Sequence, residues 1–484
     1  MELYSLLLIP LFLALAALLI GRSRSFGAIN ALGYLAELSC GLFFSAAFLE
    51  RPEPFTRGLF FVDSLTIFFV LVITIVAFAA ALYSIGFLER ERRQMKVTDK
   101  KSGYYYFLFN LFILAMLLAT MVNNLGLLWV AIELTTLISA FLVGFYNTKF
   151  SVEAAWKYLI ICSVGIILAL LGTILFAYVF SLTGGISLNW SDLSAAAGQF
   201  DPDLVKFAFI FIIVGYGTKA GLAPMHTWLP DAHSQAISPA SALLSGLLLK
   251  TALYAIIRYG LIVVKCVGFG FFSHLMLLFG LFSLLIAAGF VLAQKDLKRL
   301  LAYSSIEHIG IIAVGIGLGG PLALYGAFLH LLGHAAAKSL MFFGAGNIIQ
   351  AYDRHNMNSI RGVIRVLPFT GLFFLAGLFA LAGFPPFSLF RSEVMILMSA
   401  FGRGSYLIAG SLLLFMTVIF GALVFHAGKM IFGPRPPEVP PAKEDLAGKL
   451  AFIFLLLIIV VLGVWVPGPL DRLLILVVDT TRGI

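Results

Sequence analysis

The chain is poor in charged residues and in cysteine, and both shortages narrow what it can be. Only 11% of its 484 residues are charged and 61% are hydrophobic, a composition that excludes a soluble globular protein. The three cysteines, Cys40, Cys162 and Cys266, form no CxxC or CxxxC pair, which disfavours zinc or iron–sulfur sites built on thiolates. The sequence also lacks a cofactor motif and a nucleophile constellation. We therefore expect a membrane protein with no cofactor and no metal of its own.

Long apolar runs are what the sequence has in abundance. A membrane-spanning helix needs about 20 apolar residues. On this criterion we predict an all-α integral membrane fold of about fourteen transmembrane helices. The predicted spans cover residues 3–21, 28–49, 60–88, 104–121, 124–146, 154–182, 204–228, 237–263, 271–293, 299–319, 321–349, 366–400, 405–432 and 449–467.

The basic residues fall in alternate loops. Loops after odd-numbered spans carry clusters such as Arg90, Arg92 and Arg93, whereas loops after even-numbered spans are short or nearly uncharged. The positive-inside rule then places both termini on the outer face of the membrane. The net charge of +9 follows from this topology, so we expect a lipid bilayer and no nucleic acid as a partner.

Two predicted spans are interrupted next to an ionisable residue. Span 7 (204–228) is broken by glycines and Pro224 beside Lys219, and span 12 (366–400) is broken at GFPP before Glu393. The two spans lie an odd number of helices apart, so equivalent helices would enter from opposite faces, as in the inverted repeats of transporters. We predict that spans 4–8 and 9–13 are two inverted five-helix repeats, preceded by spans 1–3 and followed by a cytoplasmic loop and span 14. The corresponding boundaries are 1–101, 102–263, 264–432 and 433–484.

Five ionisable residues stand out inside the predicted spans. Each costs roughly 2.5–3.5 kcal/mol to insert at bilayer depth, so such residues are seldom without a partner or a role. A series of them suggests a path for protons or cations, and the alternative is static ion pairs that lock helices together. The residues are Glu133, Lys219, Lys250, Lys338 and Glu393.

Two histidines extend the series in span 11. His330, His334 and Lys338 are spaced i, i+4 and i+8, so they share one helix face, and histidine suits proton transfer near neutral pH. A metal site is the rival interpretation of the two histidines, but no acidic or thiol ligand is close in sequence. We therefore predict that His330 and His334 belong to the translocation path.

A second group of residues is suited to gating the channel. His226, Asp231 and His233 lie at the inner end of span 7, and Glu307 and His308 lie in span 10. The first three are predicted to control access to the channel, or else merely to cap a helix–loop junction. The other two are positioned to bridge the predicted halves.

Long motifs in spans 5 to 12 resemble a known family. They include WVAIELTTLISAFLVGFY, GYGTKAGLAPMHTWLPDAHSQAISPASALLSG, HLLGHAAAKSL and AGFPPFSLFRSE. These stretches resemble the antiporter-like subunits shared by complex I, Mrp-type cation/proton antiporters and group 4 membrane-bound nickel–iron hydrogenases. Their amino-acid sequences are most similar to those of the component F branch of hydrogenase-4. The resemblance implies fourteen helices with two inverted five-helix repeats.

The resemblance also implies roles for individual residues. Glu133 and Lys219 would form the antiporter pair, and Lys250 would be the central lysine, which some hydrogenase-type relatives lack. Lys338 would be the basic group of span 11, and Glu393 the terminal ionisable group.

The function implied is that of a membrane-arm subunit in a redox-driven proton or sodium pump. Its partners would be membrane and peripheral subunits, including nickel–iron and iron–sulfur proteins, in a prokaryotic cell membrane. The subunit would move ions and carry out no redox chemistry itself. Three alternatives remain open: an Mrp-type sodium/proton antiporter subunit, an antiporter-like subunit of complex I (NADH:quinone oxidoreductase), and a passive scaffold.

Overall fold

A computed structural model describes residues 2–482, and these residues are helical almost throughout. In chain order the helices are α1 (Glu2–Ile20), α2 (Phe26–Glu50), α3 (Ser64–Arg93), α4 (Asp99–Met121), α5 (Leu125–Val143), α6 (Lys149–Leu182), α7 (Trp190–Ala196), α8 (Pro202–Ala220), α9 (Trp228–Gln235), α10 (Ser238–Leu243), α11 (Leu249–Val267), α12 (Phe269–Leu292), α13 (Leu297–Leu318), α14 (Gly320–Tyr352), α15 (Val363–Val366), α16 (Pro368–Leu381), α17 (Ser388–Gly402), α18 (Tyr406–Ile431), α19 (Leu446–Val464) and α20 (Gly468–Thr481). A short antiparallel hairpin joins α2 to α3, with strands β1 (Phe55–Arg57) and β2 (Phe60–Val62).

The predicted class, an α-helical multi-pass membrane protein, is confirmed. Within residues 2–482, eleven helical segments are long and apolar enough to cross a membrane. The remaining predicted spans coincide with α8 and α14, which contain buried ionisable groups, and with α16 and α17, which are separate pieces of 14 and 15 residues. The number fourteen, the inverted repeats and the boundaries drawn from them stay predictions.

Helices differ in how deeply they are packed. The apolar windows of α13 and of the continuous segment α10–α11 are 94% buried, whereas that of α18 is only 28% buried. In a membrane, an apolar surface that the chain does not cover faces lipid or another subunit. The helices that carry Lys250, Glu307 and His308 therefore lie at the centre of the molecule.

The break predicted in span 7 follows Lys219 directly. Residues 221–227 are not helical, and Gly221 has a φ of +78°, a conformation that a residue with a Cβ adopts only at a cost. The indole of Trp228 donates to the carbonyl of Thr218 at 2.8 Å, so the end of α8 is satisfied inside the protein. Lys219 thus lies at the end of a helix rather than in its middle.

The break predicted in span 12 separates α16 from α17. Residues 382–387 are not helical, and Gly383 has a φ of +65°. A Cβ at Gly383 would collide with the carboxylate of Glu393, which lies in the second turn of α17. The irregular backbone therefore packs against an ionisable group, as it does at Lys219.

Three elements differ from the sequence prediction. Residues 60–62, assigned to the start of span 3, form β2 instead, and α3 begins at Ser64. The polar loop between spans 6 and 7 contains α7, and α20 follows span 14. Trp190, the first residue of α7, donates its indole N–H to the carbonyl of Arg258 at 2.7 Å and so holds the loop helix against α11.

Arg258 and Asp63 form a buried ion pair between these elements. Two Arg258 nitrogens donate to the two carboxylate oxygens of Asp63 at 2.6 Å each, and both side chains are at most 3% exposed. The guanidinium also lies 4.8 Å from the ring of Trp190. Although burial opposes ionisation of Asp63, Arg258 more than offsets this effect and holds the pKa of Asp63 below its ordinary value. The pair ties the hairpin and α3 to α11 and α7.

Candidate ion-translocation site

The ammonium of Lys219 is held by hydroxyl groups. Lys219 is fully buried and donates to Thr136 Oγ1 at 2.9 Å and to the hydroxyl of Tyr158 at 2.5 Å. Tyr158 in turn shares a hydrogen bond of 2.6 Å with Ser139. A buried ammonium is costly unless its protons find acceptors, and α5 and α6 supply them here.

Glu133 lies on α5, and its nearest polar contact is not the predicted one. The Ser163 hydroxyl donates to Glu133 Oε1 at 3.1 Å. In the described part of the chain, no ion pair joins Glu133 to Lys219, and Glu133 Oε2 accepts no hydrogen bond. The two groups share one region between α5, α6 and α8 without touching, and their role as a pair stays a prediction.

Lys250 lies beside an irregular turn. Residues 244–248 form a π-helical segment between α10 and α11, in which the regular i→i−4 hydrogen bonds are interrupted. The Ser245 carbonyl accepts from Lys250 Nζ at 2.5 Å, and Lys250 is 1% exposed. Such single-turn π segments occur mostly where a function requires a local change in helix geometry.

A series of hydrogen bonds connects the positions of Lys250 and Lys338. Ser245, which binds Lys250 through its carbonyl, shares a hydroxyl hydrogen bond of 2.8 Å with Ser305 on α13. The Ser305 hydroxyl also contacts the Leu301 carbonyl at 3.0 Å, and that carbonyl accepts from Lys338 Nζ at 2.9 Å. The lysines of α11 and α14 are therefore linked through two serines and a backbone carbonyl.

The histidines continue the series outward. His308 Nδ1 and His330 Nε2 lie 3.0 Å apart, and His330 Nδ1 lies 2.9 Å from the Ser392 hydroxyl. Because Ser392 donates its own proton to the Leu389 carbonyl at 2.8 Å, it accepts from His330. A neutral His330 then carries its proton on Nδ1 and accepts from His308 at Nε2.

His334 and Glu307 flank the pair of histidines. The His334 ring centroid lies 4.7 Å from that of His308, and neither nitrogen of His334 has a hydrogen-bond partner within residues 2–482. Glu307 Oε2 accepts from the Ser304 hydroxyl at 3.3 Å and lies 4.0 Å from His308 Nε2. Glu307, predicted only as a bridging residue, therefore lies next to His308 within the buried group.

Glu393 lies close to two of the histidines, and its role as the terminal group stays a prediction. One ligand atom each from His308, His330 and Glu393 lies within 4.8 Å of the others, a grouping that could hold a metal ion. Both nitrogens of His330 are already engaged, one with His308 and one with Ser392. A metal would have to break one of these bonds, so the arrangement suits proton transfer better.

The predicted gating residues separate into two groups. Asp231 is at the surface, where it pairs with Arg299 at 2.8 Å and Lys157 at 3.6 Å. His233 is fully buried, and its ring stacks on Phe342 at 4.7 Å between centroids. His226 is 7% exposed and lies in the break after α8.

Sequence reasoning missed the hydroxyl groups that hold the charged ones. Tyr158 and Ser392 each contact a predicted residue through a hydroxyl, Ser245 contacts one through its carbonyl, and Ser305 binds Ser245, but serine and tyrosine are too common in helices to stand out alone. Ser392 had the strongest signal, because it directly precedes Glu393.

Comparison with known proteins identifies the family. Residues 122–420 match the family described as "NADH:quinone oxidoreductase/Mrp antiporter, TM", and residues 59–96 match "NADH-Ubiquinone oxidoreductase (complex I), chain 5 N-terminus". The chain is 39% identical over 402 residues to the hydrogenase-4 component F homolog of Methylacidiphilum infernorum, covering 82% of this chain and 84% of that one.

Two further similarities agree. Hydrogenase-4 component B of Escherichia coli is 30% identical over 441 residues, which cover 86% of this chain and 64% of that protein. A chain in the membrane-bound sulfane sulfur reductase, an archaeal respiratory membrane complex, has the same fold, with a TM-score of 0.88 at 23% identity over 99% of this chain and 97% of that one. The chain therefore belongs to the family of antiporter-like membrane subunits that complex I, Mrp antiporters and group 4 hydrogenases share.

Proposed function

We propose that this chain is an ion-translocating membrane subunit of a redox-driven pump of the group 4 nickel–iron hydrogenase type. The observation that carries the proposal is a buried series of ionisable groups: Lys250 and Lys338, which are linked by hydrogen bonds, and the hydrogen-bonded pair His308 and His330, which lies near Glu393. The name of the Methylacidiphilum infernorum relative favours the hydrogenase branch. The chain itself would bind no cofactor, and nickel–iron and iron–sulfur proteins would be its partner subunits in a prokaryotic membrane.

The order of the groups suggests the course of one transfer. A charge displacement elsewhere in the complex changes the interaction of Glu133 with Lys219, and Lys219 gives up its proton to Lys250. The link through Ser245 and Ser305 keeps Lys250 and Lys338 in fixed positions, so that a charge on one disfavours a charge on the other.

The outward half of the transfer uses the histidines. Lys338 passes the proton by way of Glu307 to His308 Nε2, the nitrogen left open by the bond to His330. His308 and His330 share a single proton between facing nitrogens, so protons pass in single file toward Glu393.

The transported ion is a proton rather than sodium. A hard cation such as sodium needs several oxygen ligands, whereas in the buried series three lysines and three histidines outnumber the carboxylates Glu307 and Glu393. A bare cation next to buried ammonium groups would be repelled, but a proton can be carried by those same groups. This chemistry favours a proton pump over a sodium/proton exchanger.

The second candidate is an Mrp-type antiporter subunit, which the family description supports as directly as complex I. Mass spectrometry of the assembly purified in mild detergent decides between them. Nickel–iron and iron–sulfur subunits would support the hydrogenase type. Small membrane subunits without redox proteins would instead assign the chain to an Mrp-type antiporter. Quinone-reductase subunits would assign it to complex I.

Transport itself is tested with Lys250→Met in the complex reconstituted into liposomes. We expect proton translocation per electron pair to fall to background, because the centre of the path is lost. Lys265→Met on the same helix is the matched control, since Lys265 is half-exposed and bonds to Ser194 away from the path. If the Lys250→Met complex pumps at the stoichiometry of the unaltered complex, Lys250 is not part of the path. The passive-scaffold alternative would then be favoured.

A further inference from the structure

A polar cavity opens on the face that carries the basic loops. Its volume is about 380 Å³. Four elements surround it: the C-terminal end of α3, the helix α9, the first turn of α13 and the last turns of α14. Its walls carry charged groups, unlike the lipid-facing surface. The lining residues that matter here are Glu91, Tyr146, Gln235, Lys298 and Ile349.

Glu91 is a buried carboxylate with an open oxygen. It is 2% exposed, and Gln350 Nε2 donates to its Oε1 at 2.7 Å. Oε2 accepts no well-formed hydrogen bond from the described residues, although the Tyr146 hydroxyl lies close by. Burial and the neighbouring Glu91 raise the pKa of Tyr146, which keeps that loop hydroxyl protonated and able to donate.

Lys298 is a buried cation without an ion pair. It is 3% exposed, and its Nζ donates to the Ala236 carbonyl at 2.7 Å. Within residues 2–482 no carboxylate is paired with it.

Neither charge is placed for helix stability. The helix dipole favours anions at N-termini and cations at C-termini. Glu91 lies in the last turn of α3, and Lys298 lies in the first turn of α13, so each occupies the unfavourable end. Two buried charges set against their own helices need another reason to be retained.

His233 connects the cavity to the central lysines. It precedes Ser234, Gln235 and Ala236, which line the cavity, and both of its ring nitrogens lack partners within residues 2–482. Its ring stacks on Phe342, one turn beyond Lys338 on α14. His233 is also within electrostatic range of Lys298, Lys250 and Lys338.

We propose that this cavity is the proton entrance from the inner face, that Glu91 is its first proton acceptor, and that Lys298 and His233 pass the proton to the lysine pair. This inference rests on the proposed function. It adds an uptake site outside the two predicted repeats, since Glu91 lies on α3. Asp296 and Glu91 are both within electrostatic range of Lys298, so protonation of Glu91 would remove one of these two counter-charges and favour release of a proton inward.

Two measurements test it, and only one depends on transport. In a cysteine-free form of the chain, within the complex, Ile349→Cys on the cavity wall is treated with a membrane-impermeant thiosulfonate in inside-out vesicles. Leu340→Cys on the same helix is the control, because Leu340 is fully buried. We expect rapid labelling at position 349 and none at 340. No labelling at 349 would overturn the aqueous entrance whether or not the complex pumps.

The second measurement is proton uptake by the reconstituted complex with Glu91→Gln. Glutamine keeps the shape of the side chain and its contact with Gln350 but cannot carry a proton, so we expect a loss of roughly tenfold or more. Glu89→Gln is the matched control on the same helix, since Glu89 is partly exposed and pairs with Arg93 at 3.1 Å. Uptake at the unaltered rate in Glu91→Gln would overturn the role of Glu91. An unaltered complex that moves no protons would instead overturn the proposed function, and labelling at 349 would still decide whether the cavity is aqueous.

Discussion

At the scale of single residues, the three lysines of the predicted path are held by hydroxyl groups and carbonyls rather than by opposite charges. Two hydroxyls accept from Lys219, and a single backbone carbonyl accepts from each of Lys250 and Lys338. Such neutral partners stabilise the ammonium without fixing its charge state. A lysine held this way can lose its proton without leaving a buried carboxylate unpaired, which suits a transfer path.

Tyr158→Phe should slow transport without unfolding the protein. The substitution keeps the ring but removes one of the two acceptors of Lys219, and a hydrogen bond to a charged group contributes about 1.5–3 kcal/mol. We expect proton translocation to fall roughly tenfold. Tyr178→Phe on the same helix is the control, since Tyr178 is 52% exposed. Equal rates in the two variants would show that the hydroxyl of Tyr158 does not tune Lys219.

The Asp63–Arg258 pair represents the opposite design, and Asp63→Asn should be severely destabilising. The amide leaves the guanidinium buried and unpaired, a loss of about 3–5 kcal/mol. Because the pKa of Asp63 is held low, the stabilisation is complete at neutral pH and disappears only as the pH falls through that lowered pKa.

Thermal unfolding in detergent measures this effect, with Asp192→Asn as a control in the same outer region, where Asp192 is only partly buried. The double variant Asp63→Asn, Arg258→Gln should be less destabilised than the sum of the two single variants. Strict additivity would mean that the pair does not anchor the hairpin to α11.

At the scale of helices, the break after Lys219 depends on a glycine. Gly221→Ala would force a Cβ into a left-handed conformation, which costs about 1–2 kcal/mol, and would place that atom 2.7 Å from Leu229 Cδ1. We expect a lower unfolding temperature and slower transport, because the end of α8 carries Lys219. Gly421→Ala in α18 is the control, since nothing lies within 4 Å of its added Cβ and alanine favours helix. If both variants melted alike, the break would not depend on the left-handed glycine.

The sequence could predict helices and breaks but not the contacts between them. The length of an apolar run and the positions of glycine and proline can be read directly from the sequence. The helices α3 and α6 and the breaks at 221–227 and 382–387 could therefore be predicted. The hairpin was missed because three-residue strands leave no periodic pattern, and β2 occupies what looked like the start of a span.

The same limit applies to the site. The free energy of inserting a charged side chain into a membrane depends on the type of that one residue, so the ionisable groups could be found from the sequence alone. Which atom each contacts depends on segments that are far apart in the chain, such as the π-helical segment 244–248 with α13, or α14 with α17. For this reason the link through Ser245 and Ser305, and the separate hydrogen-bond partners of Glu133 and Lys219, could not be foreseen.

At the scale of the molecule, the direction of transport depends on which face carries the basic loops. We predict that the loop between α3 and α4 lies inside and the loop between α6 and α7 outside, because Lys and Arg cluster only in the first. Met95 and Ile186 mark these loops, with exposures of 91% and 102%.

Cysteine labelling of intact cells checks this orientation. In the cysteine-free chain, Ile186→Cys should react with an impermeant thiol reagent added outside, whereas Met95→Cys should react only after the membrane is opened. The cysteine-free parent measures background, and labelling of both after opening shows that each variant is folded into the membrane. The reverse pattern would place the 380 Å³ cavity and Glu91 on the outer face, where they would release protons rather than take them up. The same chain of lysines and histidines would then have to run in the opposite direction.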